Sequence, residues 1–138
     1  MDWNSIKTIC IVGLSPNEER DSNKVAKYFI GKGHKIVPLN PNHNEILGEK
    51  CYFSISSIPE EISNKIDMID IFRKSEFVLS IVQEIIQHKN KFKNLKVIWM
   101  QEGVSDSVAF DLAKKNGYEV IMNSCAMVQH SNKLEFKL

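Results

Sequence analysis

The chain has few cysteines and almost no bias of charge. Its three cysteines, Cys10, Cys51 and Cys125, are far apart, odd in number and never paired as C-x-x-C. That spacing supports neither a disulfide framework nor a zinc site and points to a reducing, cytoplasmic compartment. Lys and Arg total 18 against 17 for Asp and Glu, a formal charge of +1. A dedicated nucleic-acid binder carries a basic excess, so no nucleic-acid partner is expected. Long hydrophobic runs are missing: stretches such as Ile9-Cys10-Ile11-Val12 are far too short to span a bilayer, and no cationic leader opens the chain. No membrane association is expected. Metal binding is not expected either, because no His-x-x-x-His or comparable spacing occurs.

What is present is ordinary globular material, 43% hydrophobic and 25% charged over 138 residues, which reads as one domain spanning 1–138. Short β-branched runs predict strands at 7–12, 34–39, 66–72, 96–99 and 119–122. Between them, apolar residues at helical spacing predict helices at 23–32, 59–64, 75–89 and 106–116. Ser22 is the expected cap of the first helix, and Gly31 or Gly33 its stop. The last helix is expected to turn Val108, Leu112 and Ala113 inward. Residues 42–50 read as a polar loop, 51–53 as a short extended piece, and the polar, lysine-containing end at 128–138 carries no assignment. Alternating strands and helices imply an α/β single domain with a doubly wound, Rossmann-like, mainly parallel sheet of about five strands covered on both faces.

In such sheets a ligand lies beyond the carboxyl ends of the strands, near the point where strand order reverses. The residues that follow the strands are therefore the candidates: Gly13, Ser15, Arg20 and Ser22; Asn40, Pro41 and His43; Phe72 and Arg73; Met100, Gln101, Glu102 and Gly103; and Cys125. Arg20 and Arg73 are the only two arginines, and each follows a strand at this edge. Arginine's planar fork binds phosphate or carboxylate bidentately. A surface salt bridge would account for either one alone; both at one edge point to an anionic ligand. The dinucleotide fingerprint G-x-G-x-x-G is absent, Asn40 stands where a ribose-binding acid would be, and no Walker A sequence occurs.

The ordered set Gly13-x-Ser15, Arg20-x-Ser22 with Val25-Ala26, Pro38-Leu39-Asn40-Pro41, Gly48 with Tyr52, Asp67-Met68-Ile69-Asp70-Ile71-Phe72-Arg73 and Trp99-Met100-Gln101-Glu102-Gly103-Val104 resembles the stand-alone CoA-binding-domain proteins. These are related to the domain that opens the succinyl-CoA ligase alpha subunit. The resemblance implies that coenzyme A or an acyl-CoA binds in the crevice. By that analogy Ser15 and the loop to Ser22 would cradle the pyrophosphate with Arg20 neutralising it. Asn40, Pro41 and His43 would lie near the adenosine 3′-phosphate. Phe72 and Arg73 would flank the pantetheine, and Met100, Gln101, Glu102 and Gly103 would line its other side. Asn123-Ser124-Cys125 departs from the family, which often places a basic residue before the cysteine. The ligase's second domain, with its phosphorylated histidine, has no counterpart in these 138 residues, so binding without catalysis is expected.

An NAD(P)-using enzyme on the same fold and an interaction module with a vacated crevice are the competing readings. A homodimer is compatible with so small a domain, although no interface patch stands out. His34 and His88 read as structural or solvated, and His130 is left unassigned. Asp67 and Asp70, three apart on a strand, face opposite sides and cannot form a carboxylate pair. Glu102 would be the general base were the site catalytic; without a nucleophile it reads as a loop-organising or ligand-contacting group.

Overall fold

A computed structural model describes the chain over residues 1–136, with side chains through Lys133. In chain order the strands are β1 (Thr8–Val12), β2 (Lys35–Leu39), a short pair β3 (Glu45–Ile46) and β4 (Glu49–Lys50), β5 (Met68–Ile71), β6 (Val97–Met100) and β7 (Glu119–Ile121). The helices are α1 (Asp21–Gly31), α2 (Glu60–Ser63), α3 (Val78–Gln87), α4 (Ser107–Lys115) and α5 (Ala126–Phe136). Every neighbouring pair in the five-stranded sheet is parallel, in the order β2-β1-β5-β6-β7. All residues of β1, β5 and β6 are buried. That matches their near-continuous apolar runs and requires cover on both faces. Val78, Val82 and Ile85 of α3 and Ala109 and Ala113 of α4 pack one face. Val25, Ala26 and Phe29 of α1 and Ala126 of α5 pack the other.

The expected strands and long helices are all present, with differences at their ends. Ser22 does not cap α1. The helix begins at Asp21 with Arg20 in the capping position, and Ser22 Oγ instead accepts the Ser15 amide at 3.0 Å. Val108 points outward at 61% exposure, while Ala109 and Ala113 are fully buried. Two alanines four apart let α4 settle closely on the sheet, which the larger valine would prevent. Asp106 caps that helix, accepting the Ala109 amide at 2.8 Å. Pro59 is the N-cap of α2, just outside the first helical residue.

The loop expected at 42–50 contains the hairpin β3–β4, turned by Leu47 and Gly48 at φ 55° and 75°. Asn or Asp usually precedes Gly in such a turn; Leu hides the signal here. Tyr52 then makes a parallel bridge to Leu39 at the free side of β2. The unassigned end is helical through Phe136, and positions 137–138 lie outside the described residues. Asp67, where β5 begins, accepts the Lys7 and Thr8 amides at 2.8 and 3.0 Å and pairs with Lys96 at 2.8 Å. Burial works to raise its pKa, and these partners outweigh it and hold the carboxyl below its ordinary range. Among the described residues no helix is long and apolar enough to cross a membrane.

Candidate functional site

With the hairpin set aside, the sheet order counts as 2-1-3-4-5, so strand order reverses between β1 and β5. Immediately beyond those two strands the chain passes through Gly13 and Phe72. Gly13 has φ 84°, and a Cβ there would lie 2.5 Å from the Phe72 carbonyl oxygen. Only a residue without a side chain lets the two exits run this close. The Gly13 amide donates to Leu39 O at 2.8 Å and the Phe72 amide to Val12 O at 2.8 Å, so the β1, β2 and β5 exits are tied together.

The loop over 13–22 is braced from within. Besides the Ser15–Ser22 bond, Ser15 Oγ accepts the Asn17 amide at 3.1 Å, and buried Asn23 Nδ2 donates to Ser15 O at 2.9 Å. Among the described residues the first amides of α1, those of Asp21 and Ser22, have no hydrogen-bond partner. They carry the positive end of the helix dipole. Asn40 ties the second loop to the first: its Nδ2 donates to Leu14 O at 2.9 Å and its Oδ1 accepts the Asn42 amide at 2.9 Å.

Three adjoining recesses surround this point. The first, about 540 Å³, is walled by Gly13, Ser15, Glu19, Arg20, Asp21, Ser22 and Phe72. The second, about 450 Å³, shares Asp21 and Phe72 and continues past Arg73, Gln101 and Glu102 to Val25, Val104, Cys125, Met127 and Val128. The third is a slot of about 140 Å³ between Leu39, Pro41, Phe53, Ile55 and Ile81, bounded by Gly13 and Arg73. Among the described residues neither Arg20 nor Arg73 pairs with a carboxylate. The Arg73 guanidinium lies 4.7 Å from the Phe77 ring centroid, which holds its planar head over an apolar face.

The structure thus gathers Gly13, Ser15, Arg20, Ser22, Pro41, Phe72, Arg73, Gln101 and Glu102 around one crevice. Met100 is fully buried in the layer beneath α3 and α4. His43 is exposed and, like the committed side chain of Asn40 and exposed Gly103, lines none of the three recesses. Gln101 is buried and its Oε1 accepts the Ala126 amide at 2.9 Å, so it fixes the start of α5 against the crevice.

The chain matches the CoA binding domain family over residues 7–131. It belongs to that family. The Bacillus subtilis protein YneT is 34% identical over 125 residues, 91% of this chain and 86% of YneT. An ADP-forming acetate–CoA ligase of Archaeoglobus fulgidus is 32% identical over 78 residues, 56% of this chain but 11% of the ligase. The solved structure of a Pyrococcus horikoshii protein superposes with a TM-score of 0.81 at 36% identity, covering 94% of this chain and 84% of that one.

Several residues of this CoA-binding-domain crevice escaped the sequence reading. Asn23 organises one of its loops. Asn123, which the sequence placed only as a residue following the fifth strand, organises another at φ 56°, accepting the Gly103 amide at 2.7 Å. An asparagine directly after a strand was the available signal, since Asn tolerates that backbone. Phe53, 69% exposed at the mouth of the slot, had no periodic signal at all. Beneath the crevice, Asp70 is 0% exposed on the central strand β5, and neither carboxyl oxygen has a partner. Burial pushes its pKa well above the ordinary carboxylate value. A carboxylate charge without partners is costly there, so burial favours the protonated form of Asp70.

Proposed function

We propose that this chain binds coenzyme A, free or as an acyl thioester, across the three recesses and performs no chemistry on it. The observation that carries this reading is the braced loop at the switch point, where α1 amides without partners among the described residues line the same crevice as two arginines that pair with no described carboxylate. Amides, dipole and guanidinium together are the means by which a helix start binds a pyrophosphate. The slot beside Pro41 and Phe53 has apolar walls that suit the adenine ring. The second recess, with Val25, Val104 and Met127, takes the pantetheine arm and leads its thiol end, or an acyl group, towards Cys125.

A binding role is supported by how the polar side chains are used. Ser15, Ser22, Asn23, Asn40 and Gln101 each make a hydrogen bond that holds a loop in place. Asn40 stands where a dinucleotide-binding fold places a ribose-binding carboxylate, and its amide is held by Leu14 and Asn42, which weighs against NAD(P). The similarity to the Archaeoglobus ligase concerns a small part of that enzyme and carries coenzyme binding, not ligation, into this proposal.

Titration calorimetry with coenzyme A tests the reading. A lost hydrogen bond to a charged group costs roughly 1.5–3 kcal/mol, so Arg20→Ala and Arg73→Ala should each weaken binding by about tenfold or more. Unchanged affinity in the double variant would refute the phosphate contacts, and a wild-type protein that takes up no coenzyme A would refute the function.

A further inference from the structure

The opposite end of the sheet carries a further recess, of about 350 Å³, which shares no lining residue with the crevice. It opens where β1 and β2 begin, beside the end of α1. Its walls include Trp3, Lys7, Lys32, His34, His130 and Lys133. Three of these are cations, and none of the lining residues is a carboxylate. The nearby acids are engaged elsewhere: Asp2 caps Asn4, and Asp67 is neutralised by Lys96.

Lysines near a helix end often serve its unpaired carbonyls. Here those carbonyls are already served, because the amides of Lys32, Gly33 and His34 bond to Tyr28, Phe29 and Ile30. Of the three lysines, Lys133 donates to Met1 O at 3.0 Å and Lys32 lies 5.6 Å from the Tyr28 ring. Among the described residues none of the three lysines pairs with a carboxylate. The floor is aromatic: His34 and His130 stand 5.5 Å apart, and His130 meets the Trp3 ring edge-on at 5.0 Å. His130 Nδ1 is 2.7 Å from Tyr28 Oη, whereas His34 Nδ1 is buried with no partner.

We propose that this recess is a second ligand site, which takes a small organic anion with a flat apolar body, held by Lys7 and Lys32 and seated against Trp3 and the two imidazoles. The site is independent of the crevice reading. The groups facing the imidazoles are Lys7 ahead of β1, Tyr28 and Lys32 from α1, and Lys133 from α5; the amino terminus turns away towards Glu119 at 3.8 Å. Burial, chiefly, lowers the pKa of both rings; at His34 a hydrogen bond with the Phe29 backbone opposes this and Lys7 adds to it, while at His130 His34 and Lys32 add to it. A bound anion cancels the lysine contribution, so it should raise both values, and binding should tighten as pH falls.

The test is histidine-resolved NMR with benzenesulfonate, whose charge is constant between pH 6 and 8, and with inorganic sulfate for comparison. The four histidines report separate places: His43 the crevice side, His88 the far end of α3, and His34 and His130 the new site. The expected result is saturable movement of the His34 and His130 signals with His88 still, weaker binding of sulfate than of benzenesulfonate, and tighter binding at pH 6 than at pH 8. Lys7→Gln with Lys32→Gln should weaken binding by about tenfold, while unmoved His43 and His88 signals show that the variant is folded. Still His34 and His130 signals, or equal affinity in the folded double variant, would overturn the site. Equal affinity at the two pH values would overturn the part played by the imidazoles.

Discussion

Replacing Gly13 by alanine tests the packing on which the crevice is built. Two costs apply. An L residue held at φ 84° pays about 1–2 kcal/mol for the left-handed backbone. The new Cβ would also lie 2.5 Å from Phe72 O and 3.1 Å from Arg73 Cδ, well inside ordinary contact. Relief requires the β1 and β5 exits to part, which strains the Gly13–Leu39 and Phe72–Val12 hydrogen bonds. Each is worth about 1 kcal/mol net, so the total is about 3 kcal/mol. With an unfolding entropy near 2.1 cal/mol/K per residue, 138 residues give a fall in Tm of about 10 °C. Gly48→Ala is the control, because Gly48 has φ 75° but no atom within 4 Å of its would-be Cβ. It should lose only the backbone share, about 3–7 °C. Calorimetric melting of both variants decides the matter. Equal losses, or a Gly13 variant within about 2 °C of the parent, would refute the close approach of the two strand exits.

Two further outcomes follow from the buried groups. Asp70 has a folded pKa raised above 3.8, so the native state keeps a proton that the unfolded state releases, and stability falls as pH rises above about 4. Asp70→Asn removes that dependence, and urea unfolding at pH 5 and 8 should show the variant gaining on the parent at the higher pH; a constant difference would contradict a protonated Asp70. Thiol labelling under native conditions should modify half-buried Cys125 first, since Cys10 and Cys51 are buried and burial raises both of their pKa values. Saturating coenzyme A should slow that labelling, and an unaltered rate would place the pantetheine arm elsewhere than beside Val25 and Met127.

The sheet was legible because each strand is a short β-branched run cut off by Gly, Asn or a polar loop, and because parallel strands must be apolar on both sides. What escaped depended on contacts between distant segments. Ser22 looks like a cap by position, but the Ser15 amide competes for its hydroxyl and wins. Val108 fits the helical stripe as well as Ala109 does; how closely α4 approaches the sheet chooses between them. The hairpin at 45–50 is turned by Leu47, a residue that sequence rules do not place at positive φ. At the site, the identity of the strand-following residues was readable, and their orientation was not. Met100 faces the core because strand alternation continues to its last residue, and Asn40 spends both ends of its amide on neighbouring loops.

The central claim is that the crevice selects coenzyme A. Thermal unfolding in parallel with coenzyme A, acetyl-CoA, a long-chain acyl-CoA, NAD and NADP measures it most directly. A ligand at about 100 times its dissociation constant adds roughly 2.7 kcal/mol, a rise of several degrees for a domain of this size. The CoA compounds should raise the melting temperature and the two nicotinamide dinucleotides should leave it unchanged, with the largest shift marking the preferred acyl group. Stabilisation by NAD or NADP in place of the CoA compounds would contradict the account.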